Sequence, residues 1–276
     1  MGAAPALWLV KSDHAQVYLF GTLHALSPDV RWRTPAYDAA YAKAATVWFE
    51  AALDGADPAT VGDLLARYGV DPDHPLSQKL APATLAQLRR EVDVSRIDHY
   101  RPWVAALMLS MQPAFSQGAS LEGGADLSMT RAARGEAKTV RTFESLEDQA
   151  RIFAGLSEPA EVAYLSEVIR DRARPSPRRR LAAALAASPQ SLERARLDGD
   201  LARLGAGLTG DMRAENPDLY AALLKRRNLA WADTLAQELT QGSGVELVNV
   251  GALHMVGEDG LPALLAARGF AVERVQ

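Results

Sequence analysis

The chain has 276 residues, a formal net charge of −4 and 48% hydrophobic residues. That length and composition suit a folded globule with its own core. The acidic balance argues against a general nucleic-acid binder, which needs a basic surface. There are no cysteines and only five histidines. This excludes thiolate metal sites, cysteine nucleophiles, iron–sulfur clusters and disulfides, and leaves any imidazole chemistry to few residues.

The chain opens Met1-Gly2-Ala3-Ala4-Pro5-Ala6, without the charged start and apolar core of a signal peptide. A start of this kind also fits a leader cut away upstream. Five runs read as strands: Gln16 to Phe20, Thr46 to Phe49, Lys138 to Phe143, Val245 to Val250 and Phe270 to Val275. Trp8-Leu9-Val10 is placed to pair with the first of them as a hairpin through Ser12-Asp13. Helical patterns fill the gaps. One spans Thr34 to Ala45, with Ser27-Pro28-Asp29 as a start signal upstream. Others cover Pro82 to Val92, Trp103 to Met111, and Leu146 to Gly155 behind a Ser145/Asp148 capping box. Asn216 to Leu239 reads as one long helix, and Leu261 to Arg268 stops at Gly269. The arginines of 170–180, broken by Pro175 and Pro177, read as a solvated loop. No stretch reaches the ~20 apolar residues of a membrane span.

Strands alternating with helices predict an α/β fold with a mainly parallel sheet. We expect a single domain over residues 1–276, with helical insertions at roughly 60–130 and 150–240 forming a cap or side layer.

Two short segments carry the functional signal. Gly21-Thr22-Leu23-His24 and Gly251-Ala252-Leu253-His254 share the pattern Gly-x-Leu-His, and each follows an apolar strand. Glycine lets the chain leave a strand tightly, and parallel sheets bind ligands beyond their carboxyl ends. The two strand–GxxH–helix units therefore predict two imidazoles meeting at one pocket. His14, His74 and His99 lack this context. Glu50 and Glu144 each end a strand. Two imidazoles with one or two carboxylates suit a divalent metal that keeps a position open for water. The ligand types do not choose the metal. Arg227 and Asn228 offer a clamp for a carboxylate or an oxyanion, although composition alone makes them surface residues.

Several familiar motifs are absent from the sequence. It contains no His-Glu-x-x-His, no Gly-x-Ser-x-Gly and no P-loop. Gly205 to Gly210 fits G-x-G-x-x-G but follows a helix-like run, so we read it as a chance match in a loop.

With these residues in place, the chain resembles the TraB/GumN family, which is related to the Tiki metalloproteases and to the ChaN/EreA-like group. The resemblance runs from Pro5-Ala6-Leu7-Trp8 and Tyr18-Leu19-Phe20-Gly21-Thr22-Leu23-His24 through Phe49-Glu50, Arg101-Pro102-Trp103 and Gly124-Ala125-Asp126-Leu127. It continues through Phe143-Glu144-Ser145-Leu146, Asp198-Gly199-Asp200-Leu201, Leu219-Tyr220 and Arg227-Asn228-Leu229-Ala230-Trp231 to Val250-Gly251-Ala252-Leu253-His254. Lys225-Arg226 stands where the family often has an acid. The resemblance implies a metal-dependent hydrolase, a peptidase as in the Tiki branch, working outside the cytoplasm in the periplasm or as a secreted protein. It matches His24, Glu50 and His254 to the family's two histidines and intervening acid. Arg227, Asn228, Asp126 and Glu144 match other recurrent polar positions.

The leading expectation is a hydrolase that holds Mn, Co or Zn through His24, His254 and Glu50 or Glu144. The remaining carboxylate would move the proton. Arg227 would meet a substrate carboxylate or oxyanion, and Asn228 and Asp126 would contact the peptide or protein substrate. The rivals are a binding protein that holds haem or a signalling peptide, and a catalytically inert interaction domain.

Overall fold

The computed structural model describes residues 6–22, 33–52, 57–116, 125–173 and 200–276. His24, the start signal at 27–29 and arginines 174, 178, 179 and 180 lie outside the described residues.

Every strand expected from the sequence is present. They are β1 (Leu7–Lys11), β2 (Ala15–Thr22), β3 (Thr46–Phe49), β4 (Thr139–Thr142), β5 (Gly244–Gly251) and β6 (Ala271–Arg274). They form one sheet in the order β4-β3-β5-β2-β1-β6. The β1–β2 hairpin is antiparallel, with Leu7 opposite Phe20 and Lys11 opposite Gln16. At its turn the Ser12 hydroxyl accepts from the Ala15 N–H at 3.0 Å and donates to the Leu239 carbonyl at 2.6 Å. β2, β5, β3 and β4 are mutually parallel, while β6 runs antiparallel to β1. The sheet is therefore mixed, and its parallel part is the four-strand block that carries the motif ends.

Helices cover both faces. On one face α1 (Pro35–Lys43) supplies Tyr37, Ala40 and Tyr41, which pack with Leu9, Tyr18, Phe20, Val47, Phe49 and Leu247. Between β3 and β4 come α2 (Pro58–Tyr68), α3 (Leu76–Lys79), α4 (Pro82–Glu91), α5 (Pro102–Ser116) and α6 (Ala125–Gly135). Of these, α6 joins the α1 face through Met129 and Ala133. After β4, α7 (Leu146–Ala154) starts at the expected capping box: Ser145 Oγ accepts from the Asp148 N–H, and Asp148 accepts from the Ser145 N–H. It leads to α8 (Glu158–Ala173), which packs Leu165, Val168 and Ile169 against Leu88 and against Ala105 and Ala106 of α5. α3, α4, α5 and α8 share a hydrophobic cluster of their own.

Three expectations are corrected here. Arg170 and Arg172 belong to α8 and pair with Glu215 and Glu91 rather than lying in a loop. Gly205 to Gly210 lies inside α9 (Asp200–Glu215), since glycine in a helix costs only about 1 kcal/mol. Asn216 to Leu239 is not one uniform helix. A short α10 (Pro217–Tyr220) passes into a π turn over Ala221–Lys225, and then α11 (Arg226–Gln241) follows. In the π turn the Arg226 N–H donates to the Ala221 carbonyl five residues back. Such turns concentrate at functional sites because they re-aim the side chains that follow.

On the second face, α11 and α12 (Leu261–Ala267) bury Trp231, Ala232, Leu235, Leu239, Leu261 and Leu265 against Val17, Leu19, Val248 and Val250. Gly269 follows α12 with φ +91°, the left-handed residue expected after the helix. Among the described residues no helix is long and apolar enough to cross a membrane.

Candidate functional site

Because β4, β3, β5 and β2 are neighbours and parallel, their carboxyl ends share one edge of the sheet. Glu144 follows β4, Glu50 follows β3, and His254 sits in the 3-10 turn Ala252–Met255 just after β5. The two Gly-x-Leu-His segments start side by side, with Gly21 in register with Val250 and Thr22 with Gly251. A β-carbon at Gly21 would lie 3.0 Å from Ala252 Cα and 3.3 Å from Met255 Cγ. Glycine here lets the turn that carries His254 rest on β2. Gly21→Ala is expected to destabilise the protein by about 1–3 kcal/mol through overpacking against backbone. Urea unfolding checks this, and an unchanged midpoint would contradict it.

Arg227 stands at the centre of the cluster. Its Nε and Nη2 donate to the two oxygens of Glu144, each at 2.8 Å. Nη2 also donates to Glu50 Oε2 at 2.7 Å. Nη1 donates to the Leu223 carbonyl in the π turn at 3.0 Å and approaches His254 Nε2 at 3.2 Å. All five guanidinium protons thus have acceptors. The side chains of Arg227, Glu50 and Glu144 are each only 11% exposed. Burial pulls the guanidinium pKa down, but the Glu144 hydrogen bonds and the charges of Glu50 and Glu144 outweigh it and hold it above the usual arginine value. The surface placement expected from composition is overturned. In the run Lys225-Arg226-Arg227, only the third side chain is turned into the cluster.

The orientation of His254 follows from Asn228. The Asn228 Nδ2 donates to the Asp259 carbonyl at 2.7 Å, which aims Oδ1 at His254 Nδ1, 2.5 Å away. Nδ1 must therefore carry the proton. Nε2 faces a donor on Arg227, so it is the lone-pair nitrogen of a neutral imidazole. His254 Nε2 lies 3.6 Å from Glu50 Oε1, and that oxygen also accepts from the Gly251 N–H at 2.6 Å.

An aromatic column supports the cluster. Trp48, Phe143 and Trp231 stack in series at 4.8 and 4.9 Å, and His254 lies 4.5 Å from Trp231. The Arg227 guanidinium sits 4.6 Å from the Trp231 ring centre, a cation–π contact. The motif reading left Trp231 without a role. Its spacing four residues after Arg227 on a helix is the signal that places both on one face.

The Asp259 carbonyl that fixes Asn228 is itself braced. Tyr220 donates to Asp259 Oδ2 at 2.8 Å, and Lys225 lies 3.5 Å from Oδ1. Burial, then the Asp259 hydrogen bond, pushes the Tyr220 phenol up to about 12. Free tyrosine ionises near ~10, so above that pH the unfolded chain gives up a proton the fold retains. The stabilising term is complete below about pH 10 and is lost as pH rises through about 12. Tyr220→Phe should flatten the fall in stability between about pH 9 and 11.5. Parallel slopes for variant and parent would show that Tyr220 is not shielded.

The sites expected from sequence divide as follows. Glu50, Glu144, Arg227, Asn228 and His254 form one connected network. Asp126 lies in the first turn of α6, on the opposite face of the sheet from α11, and its side chain is outside the described residues, as is His24. Thr22, at the end of β2, is 2% exposed and its hydroxyl makes no hydrogen bond. Among the described residues no group of three or more His, Asp or Glu is arranged to hold a metal ion. Both oxygens of Glu144 accept from the Arg227 fork. Two donors nonetheless suit one ion. Ligands about 2.0–2.2 Å from a tetrahedral metal lie roughly 3.4 Å apart, close to the His254–Glu50 separation of 3.6 Å.

The family model of the TraB/PrgY/gumN family matches residues 6–274. The chain belongs to this family. Neither a curated protein nor a solved structure matches it significantly. For this TraB/PrgY/gumN member, the match takes in every element of the sheet and every residue of the cluster.

Proposed function

We infer that this TraB/PrgY/gumN protein is a metal-dependent hydrolase acting on peptides or proteins. The observation that carries the reading is the fixed tautomer of His254. Asn228 holds the Nδ1 proton and leaves the Nε2 lone pair turned into the cluster, towards Arg227 Nη1 and 3.6 Å from Glu50 Oε1. Metal-binding histidines are set up in this way, with the second ring nitrogen bonded to a supporting acceptor. The sequence resemblance to the Tiki metalloproteases supports the same class.

His254, Glu50 and His24 are the residues that would hold a divalent ion such as Mn, Co or Zn. Such an ion would lower the pKa of bound water toward about 7. The chain's own groups supply the remainder. The Gly251 N–H and Arg227 hold the Glu50 carboxylate in place. Glu144 takes the proton of the attacking water and passes it to the leaving amine. Arg227 faces the negative charge of the substrate, as a terminal carboxylate or a developing oxyanion. Asp126 is assigned to substrate as well, on the resemblance. We place the protein outside the cytoplasm on the same footing.

Dialysis against a chelator should abolish hydrolysis of a peptide library, and Mn, Co or Zn should restore it. Hydrolysis that ignores the chelator would contradict the reading.

A further inference from the structure

We propose that the outer edge of β4 seats the substrate peptide as an added strand and leads it to the cluster. This rests on the peptide-hydrolase reading above and names how that site takes its substrate. β4 is the last strand on its side of the sheet, and among the described residues β3 is its one strand neighbour. The Thr139 N–H donates to the Ala45 carbonyl at 3.0 Å, and the Phe143 N–H to the Phe49 carbonyl at 3.1 Å. In a parallel pair alternate residues of a strand bond to the same neighbour. Val140 and Thr142 therefore turn their N–H and C=O groups away from β3. Among the described residues those four groups have no hydrogen-bond partner.

An extended peptide offers the matching row of donors and acceptors, and main-chain pairing of this kind supplies affinity. The two edges of the sheet differ in how open they are to it. At β6, Lys11 pairs with Glu273, and Arg274 Nε donates to the Gln276 carbonyl. Charge on an edge strand discourages strand addition. The outward-bonding residues of β4 are uncharged and β-branched, a composition that favours pairing. Arg141, the one charge of β4, donates to Glu238 at 2.7 Å and lies over the Trp48 ring. Those contacts keep it on the face of the sheet rather than across its edge. Position separates the edges as well. β2 and β1 stand between β5 and β6, whereas β4 runs directly into Phe143 and Glu144. Two residues of strand span about 7 Å, so a peptide seated on Val140 and Thr142 continues to the Glu144–Arg227 fork.

The test reads amide hydrogen exchange in the full chain, with chelator present so that no peptide is cut. The probe is an end-blocked hexapeptide library at saturating concentration, beside the same library methylated at every backbone nitrogen. The first should slow exchange at Val140 and Thr142 by at least about tenfold. The methylated library should leave both unchanged, and Thr139 and Arg141 should be protected throughout by β3. Thr142→Pro removes one outward donor and spares the β3 ladder, as proline does on an edge strand. With metal restored it should raise KM for the library about tenfold, roughly one lost hydrogen bond, and leave kcat in place. Thr142→Ala keeps the N–H and should match the parent. No protection at Val140 and Thr142, or equal KM for the parent and Thr142→Pro, would overturn the strand addition and leave the hydrolase reading standing. Protection of those two amides in a protein that cuts no peptide would uphold the edge and sink the hydrolase reading instead.

Discussion

Replacing Arg227 by methionine should destabilise the protein by about 3–5 kcal/mol, the usual loss when one partner of a buried ion pair is removed. The change leaves Glu50 and Glu144 facing each other, both largely buried and deprived of the cation that joined them. It also empties the place above Trp231. Methionine is close in volume, so lost packing contributes little and the unpaired charges dominate. Denaturant unfolding in the absence of added metal measures the effect. Adding Glu50→Gln and Glu144→Gln to the same chain should recover most of it, since the charges that suffer are then gone. A loss below about 1 kcal/mol, the size of a solvated surface pair, would show that the cluster is wet and that the network does not depend on Arg227.

His254→Ala and Asn228→Ala should weaken metal binding in a graded way. Asn228 supports a ligand without being one, and losing such a partner costs about 10–100-fold in affinity. The mechanism is loss of tautomer control. Without the Asn228 Oδ1, the imidazole is free to place its proton on Nε2, where no ion can bind. His254→Ala removes the donor itself and should cost more than about 100-fold. Titration of Co2+ into each variant gives the ranking, with circular dichroism confirming that both remain folded. Equal affinities in the parent and both variants would remove His254 from the metal site.

The strand ends were the legible part of this molecule. β-Branched runs closed by glycine or an acid marked Phe49-Glu50, Phe143-Glu144 and Val250-Gly251, because a change from apolar to charged is where a buried strand leaves the sheet. The direction of pairing was not legible in the same way. Alternation shows which face a residue occupies but not which neighbour it bonds, so the antiparallel setting of β6 on β1 emerges only in the fold. The π turn was hidden for a related reason. A slip of one residue between Ala221 and Lys225 leaves apolar residues on both sides of the break, and the helical period survives it. Arg227 was concealed by its neighbours. Three basic residues in a row read as a solvated face, and the bidentate partner that turns one of them inward lies 83 positions away in sequence. Asn228 had the same problem: its work is to set the proton of His254, and no local pattern announces that.

The most direct measurement is the metal content of protein purified without chelator, set beside that of a His24→Ala/His254→Ala double variant. The account predicts about one divalent ion per chain in the parent, as a single site of this kind holds, and none in the double variant. No uptake by the parent after addition of Mn, Co or Zn, or equal uptake by the variant, would contradict it.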